Sequence, residues 1–155
     1  MVVDLTPLIS FDFVIRNRCN QVLLGKRVNA PARGYWFVPG GRVLKNEPIS
    51  TAFLRLTEIE LGVAYPVSAA RYLGLYQHFY PDSIFGDEVS THYLVNAFEW
   101  VIDHALDALP EAQHESYRWW DVEALLAAED VHDNTKAYLD PGAGLTTSQP
   151  AFCSL

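Results

Sequence analysis

Residues 40–63 read Gly-Gly-Arg-Val-Leu-Lys-Asn-Glu-Pro-Ile-Ser-Thr-Ala-Phe-Leu-Arg-Leu-Thr-Glu-Ile-Glu-Leu-Gly-Val, and the rest of the chain is organised around this stretch. Its paired glycines predict a turn, the polar residues after them a loop, and Pro48 the start of a helix that Gly62 ends. Proline suits a first helical turn because the N–H it lacks has no partner there in any case, and glycine supplies the left-handed stop. The unit is therefore loop, helix, loop. Glu60 stands near the helix C-terminus, where the macrodipole disfavours a carboxylate. It requires a compensating cation, either Arg55 or a metal ion.

Outward from this unit, strands dominate. In residues 8–15, Ile9, Phe11, Phe13 and Ile15 alternate with Ser10, Asp12 and Val14, the period-two pattern of a strand. Asp12 inside such a run must face water or find a partner. A turn at residues 17–20 leads into a second strand at 21–27, giving a hairpin, and a loop at 28–34 contains Pro31 and Gly34. Residues 35–38 form a short apolar strand that delivers the chain to the glycines. Downstream, 69–79 and 89–101 are strand-like runs around a loop at 80–88, and 102–113 is acidic and irregular. Residues 115–120 return as a strand, Asp121 caps a helix reaching about Ala128, and 134–139 add a helical turn. From Pro141 onward the Gly, Thr, Ser and Pro content marks a tail. Two well-separated helical regions and many strands imply a mixed sheet covered on both faces, α+β or α/β.

A length of 155 residues supports one domain, and 50% hydrophobic with 13% aromatic residues favours a packed core over disorder. No basic region precedes an apolar run at the N-terminus, and no stretch nears ~20 uninterrupted apolar residues, so a cytoplasmic protein without a membrane partner is expected. Cys19 and Cys153 are too isolated for a disulfide framework or a zinc site. Charge is lopsided: residues 1–71 hold nine of the eleven Lys and Arg against five acids, while 72–155 hold two against fourteen. The second half cannot supply the broad basic face that a nucleic acid needs. Lys26, Arg27, Arg33, Arg42 and Arg55 around the glycine turn instead suit a small anionic ligand, with Lys26 and Arg33 equally explicable as solvated surface.

The spacing of Gly41, Glu47, Arg55, Glu60, Gly62 and Val63 resembles the Nudix box. Leu56 and Ile59 stand where the family pattern has two further glutamates, which help gather divalent ions and activate water for attack on phosphorus. The Arg-Leu-Thr variant resembles one branch, the GDP-mannose mannosyl hydrolases, which attack the sugar carbon. The likeness runs from Asp12 to about Tyr138. It implies a single Nudix domain over residues 1–155, an α/β/α sandwich with a mixed sheet, and a homodimer acting on a nucleotide sugar.

The same resemblance implies one Mg²⁺ per subunit, with Mn²⁺ able to substitute, held by Glu60, the Gly40 carbonyl and Gln113. Magnesium keeps several waters and takes only one or two carboxylates plus substrate phosphates, so a sparse ligand set is sufficient. His114 is the expected base, in a loop, a histidine being suited to accepting a proton at pH 7 because the unperturbed imidazole pKa is ~6.5. Asp12 and His78 are carried over as helpers; His92 and His132 fall in matching stretches without a role, and His104 reads as surface. Attack at an anomeric carbon with inversion needs a base on the face opposite the leaving group. A nucleoside diphosphate leaves without an acid once its charge is neutralised, work assigned to Mg²⁺, Arg27, Arg42, Arg55 and Tyr93. Arg55 equally fits a brace to Glu47, and Tyr80 and Tyr93 are either phosphate or sugar ligands or packing; Trp119 and Trp120 read as core. Two alternatives remain: a conventional pyrophosphohydrolase with Glu58, Glu88 or Glu115 as base, and a binding module that senses a nucleotide sugar without turnover.

Overall fold

The computed structural model describes residues 2–29, 32–81, 90–102 and 114–139, the side chains of residues 3, 4, 114 and 115 excepted. Strand β1 (Leu8–Arg16) is its spine. Nine of its residues pair in parallel with β6 (Thr91–Val101), from Leu8 opposite Tyr93 to Arg16 opposite Val101. Its other edge is divided. The first half bonds antiparallel to β4 (Gly40–Arg42), and Arg16 alone meets β2 (Val22–Arg27) at Val22. Strand β2 also carries β3 (Trp36–Phe37) and β7 (His114–Trp120), while β5 (Arg71–Tyr80) closes the far edge on β6. The result is a seven-stranded mixed sheet.

The glycine pair is the first departure from expectation, because it is strand and not a bare turn. The reason is steric. A Cβ on Gly40 would lie 2.3 Å from the Phe11 carbonyl and 2.7 Å from Asp12 Oδ1, so only glycine lets β4 approach β1 at this point. A Cβ on Gly41 would meet Leu56 Cδ2 at 2.4 Å, which couples the same dipeptide to the helix that follows.

Helix α2 (Ile49–Leu61) begins directly after Pro48 and stops at Gly62, whose φ of 77° is left-handed and whose N–H bonds the Glu58 carbonyl. Its buried face is Ala52, Phe53, Leu56, Thr57, Glu60 and Leu61, a helical three-four spacing. That face docks on Phe11, Phe13 and Ile15 of β1 and on Phe98 and Trp100 of β6. The rings interlock edge to face, with Phe13–Phe53 and Phe53–Phe98 centroids both 5.1 Å apart. On the opposite side of the sheet, Val14, Leu24, Phe37 and Trp120 pack with Leu125 of α3 (Val122–Ala127) and with Tyr138 and Leu139, which follow α4 (Asp133–Lys136). Helices on both faces make the α/β/α sandwich.

Smaller differences have local causes. Asp121 occupies the position before α3 without capping it, because its carboxylate accepts from Gln21 Nε2 at 3.1 Å. A single helical turn, α1 (Val2–Leu5), precedes β1 and gave no periodic signal at four residues. Cys19 is exposed and free, and Cys153 with the expected tail lies outside the described residues. Among the described residues no helix is long and apolar enough to cross a membrane.

Candidate active site

Strand alternation turns Asp12 away from the phenylalanine core and towards the α4 side, where it finds the partner that its burial demands. The hydroxyl of Tyr138 donates to Asp12 Oδ2 at 2.6 Å and lies 3.4 Å from His78 Nε2. Burial raises the Asp12 carboxyl to about 7, against the Tyr138 hydrogen bond and the charge of Arg27. His78 is pushed down to about 3, first by burial and then by His132, so it is neutral at physiological pH. Burial and the neighbouring Asp12 charge hold Tyr138 well above the usual phenol range, and it remains a donor.

Glu60 is the second buried carboxyl. It too is raised to about 7, by burial first, with Arg27 opposing and Asp12 adding to the rise. Arg27 is thus the cation whose field both carboxyls share. The expectation that Arg55 compensates Glu60 is corrected by the geometry. Arg55 Nε and Nη2 bond Glu47 Oε2 and Oε1 at 2.6 and 2.9 Å, and Nη2 also donates to the Arg42 carbonyl at 2.9 Å. Five residues of helix turn Arg55 roughly 140° away from Glu60, at 100° per residue. Glu47 also accepts the Leu44 N–H at 3.1 Å, so the pair braces the loop before α2.

The remaining candidates are distributed around this pair. Gly40 lies opposite Asp12 in the β1–β4 register. Arg42 is exposed; its charge and that of Arg27 oppose the rise that burial imposes on the Tyr93 phenol. Tyr80 is buried, its hydroxyl accepts from Asn134 Nδ2 at 3.1 Å, and its ring stands 6.1 Å from Tyr93 and 5.4 Å from His132. His114 opens β7 and is not in the loop expected for it; it pairs with Arg27 in the β2–β7 register, backbone beside backbone, and its side chain and Gln113 lie outside the described residues. His92 stacks on Phe79 at 4.3 Å, and His104 lies outside the described residues. Two contributors have no motif to announce them, Tyr138 and Asn134. The unmet need of Asp12 signalled that some partner existed, but no local spacing names a residue 126 positions away.

Residues 6–140 match the family model described as NUDIX domain. The chain belongs to the Nudix family. The low-salt glycan biosynthesis protein Agl8 of Haloferax volcanii is 41% identical to this Nudix protein over 140 residues, covering 90% of this chain and 84% of the relative. A MutT NUDIX hydrolase from Burkholderia pseudomallei superposes with a TM-score of 0.68 at 27% identity, over 86% of this chain and 96% of the other. The MutT protein of Methanosarcina mazei Go1 shares the fold, with a TM-score of 0.67 at 19% identity over 86% and 91% of the two chains.

Nudix hydrolases generally use divalent metals such as Mg²⁺. The donor chemistry of this site fits such an ion. Glu60 is a buried carboxyl raised by desolvation, and it offers the hard oxygen that Mg²⁺ prefers. Among the described residues no group of three or more His, Cys, Asp and Glu could hold a metal. Leu56 is buried against Gly41 and Ile59 is exposed, which leaves Glu60 alone among the three acidic box positions on α2.

Proposed function

We propose that this Nudix protein, with Mg²⁺, hydrolyses a GDP-hexose, GDP-mannose or GDP-glucose, to GDP and the free sugar by attack of water at the anomeric carbon with inversion. The observation that carries this is the filling of two acidic box positions by Leu56 and Ile59, with Leu56 packed on Gly41. A metal cluster that activates water beside phosphorus has no carboxylates to stand on there, so the base must come from elsewhere. His114 is assigned that work, since its backbone neighbours Arg27 and an imidazole accepts protons near pH 7. The relative named for glycan biosynthesis agrees with a nucleotide-sugar substrate, because glycans are assembled from sugars activated in this way.

In this reaction the water oxygen bonds to the anomeric carbon, its proton passes to His114, and the bond from that carbon to the β-phosphate oxygen breaks. Arg27 and Arg42 bind the diphosphate, with Tyr93 as a donor beside them, and Tyr80 walls the site. Glu60, Gly40 and Gln113 would hold Mg²⁺, whose charge offsets that on the departing diphosphate. Asp12 and His78 meet the sugar, and Arg55 acts through the loop that it braces. The assembly assigned to this activity is a homodimer, which sedimentation equilibrium measures.

Hydrolysis in ¹⁸O water tests the proposal. Label in the free hexose is the expected result; label in a phosphate product means a conventional pyrophosphohydrolase, and tight binding without turnover means a sensing module. Changing His114 to Gln should lower kcat by ~10²- to 10⁴-fold with little change in KM. A loss under tenfold removes His114 from the role.

A further inference from the structure

Asp12 reaches the site with two different oxygens. Its Oδ1 lies over Gly40, so close that a Cβ there would come within 2.7 Å, whereas its Oδ2 takes the Tyr138 hydroxyl at 2.6 Å. The Tyr138 ring is fixed in turn, edge-on to Tyr76 at 4.9 Å and tilted over His78 at 6.0 Å. A phenol has one proton. With that proton given to an ionised Asp12, the Tyr138 oxygen can only accept from His78 Nε2 at 3.4 Å, which orders the chain as His78 Nε2–H to Tyr138 Oη–H to Asp12 Oδ2. A carboxylate repels a diphosphate but accepts strongly from hydroxyls. We infer that Tyr138 is a positioning residue, whose hydroxyl secures one oxygen of Asp12 and so presents the other, over Gly40, to a hydroxyl of the sugar. This rests on the proposed function and adds to it the residue that sets the carboxylate's orientation.

Changing Tyr138 to Phe keeps the ring and removes only the hydroxyl. The expected result is a fall of about tenfold in kcat/KM for GDP-mannose, the size of one hydrogen bond, with the Ki of GDP within twofold of wild type. In an Asp12→Asn background the same change should add less than about twofold, because both substitutions interrupt one path. An equal weakening of GDP, or a full further loss in the Asp12→Asn background, overturns the inference and reduces Tyr138 to packing. Should the Phe variant not fold, the wild-type protein still decides: ¹⁵N shifts of His78 must report the Nε2–H tautomer, and an Nδ1–H ring overturns the chain. If wild type releases no GDP from GDP-mannose, the proposed function falls, while the His78 tautomer still reads the hydrogen-bond network independently.

Discussion

Glu47 and Glu60 belong to the same box, yet the fold treats them oppositely. Glu47 is saturated by the protein itself: the Arg55 guanidinium and the Leu44 N–H hold its carboxyl below the usual range. Glu60 is carried under the sheet on the buried face of α2, and burial lifts its carboxyl to about 7 despite Arg27. One carboxylate is held by the loop that it braces, and the other is desolvated within the field of Arg27; in the proposed function it is the second that takes Mg²⁺. Within a shared motif, burial separates the two carboxylates in a way that spacing does not.

The sharpest way to break that contrast is Glu60→Gln. Removing the buried charge should lower Mg²⁺-activated turnover by at least about 10²-fold and raise the metal concentration needed for half-activation, read in a magnesium titration. Unchanged activity together with an unchanged metal requirement would put the ion elsewhere. Leu56→Glu restores an acidic box residue but buries it against Gly41 in a packed interior, so it should cost about 3 kcal/mol of stability in a denaturant titration without creating pyrophosphohydrolase activity. Glu47→Gln touches the saturated half. Activity should fall by less than about tenfold, in proportion to the loop's order, with the metal requirement unaltered.

A further effect concerns pH. His78 folds with a pKa near 3 against an ordinary value of 6.5. Between those values the unfolded chain binds more protons at this site, so its contribution to stability is complete above pH 6.5 and is lost as pH falls towards 3. The difference in unfolding free energy between wild type and His78→Gln should therefore change across pH 6.5 to 4 by at most about 1.4 kcal/mol per unit. A flat difference would mean that the ring charges without penalty where it stands.

Much of this was legible because periodic patterns and box spacing are local. Alternation placed Phe11, Phe13 and Ile15 on one face, and Pro48 with Gly62 bounded α2 to within a residue. The strand at Gly40 was hidden because glycine carries no side-chain pattern; its significance is an approach to Phe11 and Asp12 visible only in three dimensions. Arg55 had two readings because spacing gives proximity without direction, and helical geometry turned it to Glu47. Tyr138 was unreadable for a different reason. Its hydrogen bond to Asp12 spans 126 positions, for which the sequence offers no ruler.

That distance has a consequence for biogenesis. The tyrosine that steadies Asp12 is 126 positions downstream, and the parallel partner of β1 begins at residue 91. A nascent polypeptide that has emerged as far as the box has its most diagnostic signature but neither the strand that seats it nor the phenol that completes its polar centre. The buried bond between Asp12 and Tyr138 therefore forms only once residue 138 has been made, long after the box itself.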